Sequence, residues 1–480
     1  MIPAAIAVLI PYLGAIAVLA TRANPQLRNA VLVATGIINF GVLLTIFSQW
    51  HLHTEAEVLF ETLPGLNVAF HVEPLGIIFS LTAGALWPIT SVYAIGYLNA
   101  ENDQHQTRFH ALFCVAIGSA MGIAFAENLF TLFLFYEILT FSTWPLVTHS
   151  RTEAAVSAGR VYLGVLLTTS LMMFLLAIVV TGNYGESLSF TPGGVLNNVP
   201  PLVSGSLLVL FVFGVGKAAL MPFHRWLPNA MVAPAPVSAL LHAVAVVKAG
   251  VFTILKISVY IFGFDLLNSL PIRDVLLWVP ALTILLASAI AMRQDDLKAR
   301  LAYSTVSQLS YIVLGALLAN ELALIGSGLH VTIHAFGKIT LFFCAGAIMI
   351  FSGKKYVSQM NGLGRAMPWT FGAFFVAALS IAGLPPSGGL WSKLYLSLGA
   401  LELNHLMLVV VLMVSSLLNV YYLLAIPVRA FFLAPDEPVT AREDRPALLI
   451  PLVITAGVSF LMFFTVGGLV RFIYELIAIL

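Results

Sequence analysis

The chain has 480 residues, 60% of them hydrophobic and only 9% charged, with a formal net charge of +1 and a mean hydropathy of +1.00. Soluble globular chains carry about 25% charged residues, so a soluble enzyme, a secreted disulfide scaffold and a disordered chain are all excluded. The near-neutral balance leaves no basic footprint for nucleic acid, and two cysteines, Cys114 and Cys344, are too few for an iron–sulfur cluster, which takes about four thiolates.

A helix that crosses lipid needs about 20 apolar residues, because every backbone N–H and C=O must find its partner inside the segment. Fourteen runs meet that need: 2–21, 28–48, 75–98, 108–126, 129–148, 160–181, 204–228, 236–262, 274–293, 300–320, 322–351, 369–399, 406–431 and 447–470. The expectation is an all-α membrane protein. The first run lacks the charged start and small-residue exit of a cleaved signal peptide and reads as a true span.

Alternating the loops segregates the basic residues. Arg22, Arg28, Arg108, Arg151, Arg160, Arg225, Arg293, Lys298, Arg300, Lys354, Lys355, Arg365, Arg429, Arg442 and Arg445 fall on one side, Arg273 and Arg471 on the other. The positive-inside rule then puts both termini away from the cytoplasm, as in a cell (inner) membrane. The long outer loop 49–74 holds His51, His53, Glu55, Glu57, Glu61, His71 and Glu73. Without a tight ligand spacing such as HExxH, it reads as a solvated loop, and no metal or cofactor is expected. Loops 182–203 and 432–446 read as connectors without chemistry.

An ionisable residue inside a span costs at least about 2.5–3.5 kcal/mol on insertion scales, so it reads as functional by default. One acid qualifies, Glu137 in FTLFLFYEILTFSTWPLV, together with Lys217, Lys248, Lys256, Lys338 and Lys393 and the histidines His242, His330 and His334. Lys256 is the weakest of these, since it lies near a helix end and can snorkel. His224 lies toward the cytoplasmic end of its run. His330, His334 and Lys338 follow at i, i+4 and i+8, which puts them on one helix face. Thr332, Thr340, Ser238 and Thr253 are available to hold waters between such groups. A single buried His is ordinarily a satisfied core residue; three His and three Lys on two adjacent apolar helices are not explained that way.

Two spans that hold a buried lysine are interrupted by prolines. The seventh reads GVGKAALMPFHRWLP, with Lys217 before Pro222, and the twelfth reads SIAGLPPSGGLWSK, with Pro385 and Pro386 before Lys393. Proline removes a backbone donor and clashes with the preceding turn, so both helices should break. Non-helical backbone at that depth survives only where it lines protein or a wet cavity. A pair of broken helices is a pointer to repeated halves around a central path. Lysine suits such a path, because burial lets an ammonium group release its proton near neutral pH and a nearby carboxylate restores its affinity. Histidine can pass protons between such sites.

The stretch from Gly216–Lys217–Ala218 through Pro222, His224, Trp226, Leu227 and Pro228, then APAPVSALLHAVAVVKAGVF, HVTIHAFGKITLFF and GLPPSGGLWSK, closely resembles the antiporter-like proton-pumping subunits. These occur in respiratory complex I and in Mrp-type multisubunit cation/proton antiporters, and the resemblance covers nearly the whole chain. It implies fourteen helices with two inverted five-helix repeats, spans 4–8 and 9–13. The chain then divides into 1–107 (helices 1–3), 108–262 (first repeat), 274–431 (second repeat) and 447–480 (helix 14). It also implies a proton relay in which Glu137 pairs with Lys217, His242 and Lys248 connect, His330, His334 and Lys338 form the centre, and Lys393 exchanges on the far side. A lysine in the twelfth span, in a chain that lacks the long lateral helix of the largest members, looks most like the D-type subunit of Mrp antiporters. Subunits of complex I, membrane-bound hydrogenases and carbon-uptake complexes are the alternatives within the family.

The expected protein is therefore a transporter subunit with no chemistry of its own. Its expected partners are other membrane subunits, the lipid bilayer and protons, with Na+ a candidate cation. A solitary secondary transporter is the reading from a different class, but the polar residues form a row rather than one midplane pocket. A quinone-binding redox subunit is a third, and no haem or nucleotide motif speaks for it.

Overall fold

The structure, a computed structural model, describes residues 3–52, 56–63, 66–435, 438 and 440–479, and omits the side chain of His242. His53 and Glu55 therefore lie outside the described residues. Eleven described helices are long and apolar enough to cross a membrane: Pro3–Ala20, Pro25–Ser48, Pro74–Ala100, Gln106–Ala124, Leu129–Val147, Glu153–Tyr184, Pro271–Arg293, Leu297–Leu318, Glu321–Ser352, Leu406–Phe432 and Pro446–Ile477. Their starts are written in the sequence. Side chains of Asn24, Asn128, Thr152, Asp296 and Asn320 accept hydrogen bonds from first-turn backbone N–H groups, which otherwise have no partner at a helix N-terminus.

The other three apolar runs are interrupted. The run at 204–228 is helix Pro201–Gly214, a 3₁₀ turn Gly216–Ala218 and then a short helix Trp226–Asn229. The run at 369–399 is helix Pro368–Ala382 followed, after Pro385 and Pro386, by helix Gly389–Glu402. Gly383 closes the first of these at φ +82, in the left-handed region that a residue without Cβ enters freely. The run at 236–262 was expected to be one helix and is not. It consists of Ala235–Ala239, a π-turn Leu240–Val244, helix Val246–Ile257 and a second π-turn Ser258–Phe262. π-turns inside helices occur mostly as single insertions, frequently at functional sites.

The outer loop 49–74, expected to be merely solvated, contains ordered structure. Residues Glu57–Leu63 and Leu66–Phe70 form an antiparallel hairpin, with Glu57 opposite Phe70 and Leu63 opposite Leu66. Its base is bonded to the 125–128 segment, His71 N–H donating to Phe125 O at 2.8 Å and Glu127 N–H to Ala69 O at 3.1 Å. The connector after Glu153–Tyr184 folds over the same surface, the hairpin face. Phe190 N–H donates to Glu127 O at 2.9 Å, and Val195 N–H donates to Ile261 O at 2.9 Å.

The centre of the molecule is Leu297–Leu318 and Glu321–Ser352, whose most apolar windows are 94% and 78% buried, against 28% for Pro25–Ser48 and 33% for Pro446–Ile477. The peripheral helices turn large apolar side chains outward, as with Leu9, Leu13 and Ile16 on the first, as a lipid-facing helix does. The chain is a multi-pass membrane protein.

Candidate functional site

Lys217 occupies the 3₁₀ turn that follows the break and is fully buried. Its Nζ donates to the Tyr136 carbonyl at 2.7 Å and to Thr140 Oγ1 at 2.6 Å, and lies 3.2 Å from the centre of the Tyr136 ring. Its backbone N–H donates to the Tyr136 hydroxyl at 3.1 Å. The Trp226 indole N–H donates to Gly216 O at 3.0 Å, so the turn is held from both sides. Gly250 makes this approach possible. A Cβ there would strike the backbone of Lys217 and Ala218, with Lys217 O only 2.7 Å away.

Glu137 and Lys217 are expected to form a direct or a water-mediated ion pair, and they are not in direct contact. The Lys217 ammonium is satisfied by the backbone and hydroxyl of the helix that carries Glu137, one residue and three residues from it. The Glu137 carboxylate still acts electrostatically on Lys217. Both of its buried oxygens lack a hydrogen-bond partner among the described residues, and such a group needs water or an outside partner.

Lys248 lies on helix Val246–Ile257, fully buried, and its Nζ is 2.8 Å from Nδ1 of His334 on the long helix Glu321–Ser352. This contact spans 86 residues of sequence. The His334 and His330 rings stack at 5.5 Å, and His330 stacks in turn on Tyr311 at 5.6 Å. His330 Nδ1 lies 2.9 Å from Ser392 Oγ. The neighbouring residue, Lys393, donates from Nζ to the carbonyls of Ile381 and Ala382 at 2.8 and 3.0 Å and to Ser416 Oγ at 3.0 Å. Those two carbonyls end helix Pro368–Ala382, where the break leaves them without intrahelical partners and the helix dipole is negative. The ammonium therefore caps the broken end, 5.1 Å from the centre of the Tyr311 ring.

His330, His334 and Lys338 all face the interior, each at most 2% exposed. Lys338 does not stand between the histidines and Lys393, however. Its Nζ donates to Ser304 Oγ at 2.6 Å and to Leu301 O at 3.3 Å, on helix Leu297–Leu318. The row therefore runs Lys248, His334, His330, Ser392 and Lys393, with Lys338 to one side. His242 sits in the π-turn Leu240–Val244, but its side chain lies outside the described residues.

The hydroxyls expected to line the row are engaged elsewhere. Thr332 pairs with Thr82, Thr340 donates to Thr455, and Thr253 and Ser238 bond their own helix backbone. The polar groups beside the row are instead Thr140, Ser304, Ser392, Ser416 and Gln308, the last fully buried with neither amide atom partnered among the described residues. The four hydroxyls carry no sequence signal of their own, because single hydroxyls are common in spans. The run YSTVSQLSY at 303–311, dense in polar residues for a central helix, is the signal that could have found Ser304 and Gln308.

Lys256 also departs from expectation. It does not snorkel, because the hairpin base and the 188–195 segment cover its end of the helix. It is 1% exposed and forms a salt bridge with Glu73 at 2.7 Å. Among the described residues, no group of three or more His, Cys, Asp or Glu is arranged to hold an ion.

A multi-pass bundle with two proline-broken helices, each carrying a buried lysine, defines a membrane protein with ionisable groups buried in its core. The family profile described as NADH:quinone oxidoreductase/Mrp antiporter, TM matches residues 126–419, and the chain belongs to that family. NADH-quinone oxidoreductase subunit N of Desulforudis audaxviator is 38% identical over 361 residues, covering 74% of this chain and 71% of that one. The probable K(+)/H(+) antiporter A/B subunit of Rhizobium meliloti is 31% identical over 400 residues, or 80% of this chain but only 38% of that longer relative. Among solved structures, a chain of the Mrp complex from Dietzia matches with a TM-score of 0.85 at 20% identity, covering 98% of this chain and 96% of that one. A chain of an archaeal membrane-bound sulfane sulfur reductase matches with a TM-score of 0.86 at 21% identity, over the same shares. Both likenesses are of fold.

Proposed function

We propose that the chain carries protons along the row Lys217, Lys248, His334, His330 and Lys393 as one subunit of a multisubunit membrane complex. Glu137 sets the charge state of Lys217, His242 is assigned the connecting role that the family resemblance implies, and Lys338 adjusts the histidines electrostatically. One observation carries the reading: the 2.8 Å contact between Lys248 Nζ and His334 Nδ1, which joins two helices that would otherwise belong to separate half-channels. Lys248 and His334 are in direct contact, the His334 and His330 rings are 5.5 Å apart, and bridging water carries the remaining steps. In this reading the chain makes fourteen crossings as two inverted five-helix repeats, 108–262 and 274–431, between 1–107 and 447–480. The segregation of basic residues supports both termini on the non-cytoplasmic side.

We assign the complex to the Mrp-type monovalent cation/proton antiporters, with this chain in the position of the D-type subunit. Lys393 in the second broken helix and the antiporter relatives support this. A redox-driven complex is the second reading, favoured by the relative named as a quinone oxidoreductase subunit. Purifying the chain with its native partners separates the two. Small membrane subunits and cation-dependent proton flux without added reductant support the antiporter; a co-purifying dehydrogenase or hydrogenase overturns that assignment while leaving the relay intact.

A further inference from the structure

The proposed relay leaves one buried ion pair unused. Lys256 Nζ is 2.7 Å from Glu73 Oε1 and donates to the Ala126 carbonyl at 2.6 Å, with the centre of the Phe190 ring at 4.4 Å. Glu73 is 4% exposed, and the Tyr260 hydroxyl faces the same carboxylate. A buried ion pair is weak evidence of stabilisation, since well-packed apolar residues of similar volume often do as well or better. The hairpin base is already held to 125–128 by backbone hydrogen bonds, so anchoring alone does not account for the pair.

Its position suggests more. Lys256 lies eight residues beyond Lys248 on one continuous helix, a rise of about 12 Å. Phe252, midway between them, packs on Phe79 at 4.8 Å between ring centres. On the opposite side, the carbonyl that accepts from Lys256 Nζ belongs to Ala126, and the next residue along the chain is Glu127. Glu127, Asn67, Asn128, Glu186 and Ser187 line a cavity of about 420 Å³ on the hairpin face. The buried ammonium is thus one acid away from a polar cavity at the surface.

We propose that Glu73 and Lys256, with Glu127 as the acid on the solvent side, form a proton-exchange site that opens the first broken-helix half to the hairpin face, separately from Lys393. The proposal rests on the relay reading. In the step, an N–H bond of the Lys256 ammonium breaks and its proton passes to the Glu127 carboxylate, which faces the cavity, leaving a neutral amine beside the Glu73 anion. Glu127 then releases the proton to solvent, and Lys256 is recharged from Lys248 past the Phe79–Phe252 layer. One proton is transferred and no other reactant is needed.

The test compares Glu127→Gln, Glu73→Gln and Lys393→Ala in vesicles carrying the assembled complex, with proton flux followed by a pH-sensitive dye. Glu127 does not bond Lys256 directly, so Glu127→Gln should assemble normally. It is expected to lower flux at least tenfold and to abolish the dependence of the rate on pH at the hairpin face. Wild-type flux and pH dependence in Glu127→Gln, with flux lost in Lys393→Ala, would overturn the site and leave Glu73–Lys256 as a structural pin, whether or not Glu73→Gln assembles. Wild-type flux in Lys393→Ala as well would instead overturn the relay and this site with it.

Discussion

Replacing Lys393 separates its two roles, capping and proton exchange. In Lys393→Met the ammonium is lost, and the carbonyls of Ile381 and Ala382, which accept from it at 2.8 and 3.0 Å, lose their donor. A buried polar group left unsatisfied costs about 1–3 kcal/mol, so two carbonyls put the loss at about 2–6 kcal/mol. Relief of the desolvation of the charge itself offsets part of that, and water reaching the break offsets more, which favours the lower end of the range. Lys393→Arg keeps a permanent cation at the broken helix end, because a guanidinium does not release its proton in proteins. The Met variant should therefore lose both stability and flux. The Arg variant should stay close to wild type in denaturant unfolding of the purified complex while its proton flux falls at least tenfold. Wild-type flux in the Arg variant would refute proton exchange at Lys393, and wild-type stability in the Met variant would refute the capping role.

Glu137→Gln should leave the protein inserted and abolish coupled proton movement in membrane vesicles, since the carboxylate acts on Lys217 without bonding it; unchanged flux would remove Glu137 from the path. Gly250→Ala should cost about 1–3 kcal/mol, as overpacking does, and should displace the Lys217 turn, read as lower flux together with easier denaturant unfolding. On the basic side, the loop residue His149 lies 2.8 Å from Asp103, yet burial outweighs that carboxylate and holds its imidazole below the ordinary value. The unfolded chain then binds the extra proton more readily, so stability rises with pH through this range. Unfolding should become easier as pH falls from about 6.5 toward 5, and His149→Gln should flatten that dependence.

Much of the architecture is legible in the sequence because lipid enforces it. The prolines Pro222, Pro385 and Pro386 fall where the helices break, and the four-residue spacing of His330, His334 and Lys338 places all three on an inward face. What the sequence withholds is partner choice across distance. Nothing local says that Lys248 meets His334 rather than His330, or that Lys338 turns to Ser304. Glu137 and Lys217 do not touch directly because Lys217 donates instead to the backbone carbonyl of Tyr136 and the hydroxyl of Thr140 on the same helix. Lys256 is hidden from such a reading because hydropathy counts distance to the end of a span and does not see the hairpin and the 188–195 segment folding over it. Alternating apolar residues at Leu66, Val68 and Phe70 are a strand signal within a loop that charge makes look merely solvated.

The Lys248–His334 contact tests the account most directly. Proton flux should be measured in vesicles for Lys248→Met, His334→Leu and the double variant, each checked for normal assembly. A single path through both groups predicts that either substitution alone stops flux and that the double variant is no worse than the singles. Substantial flux remaining in each single variant, with additive loss in the double, would show two independent half-channels and contradict a path that crosses between the halves.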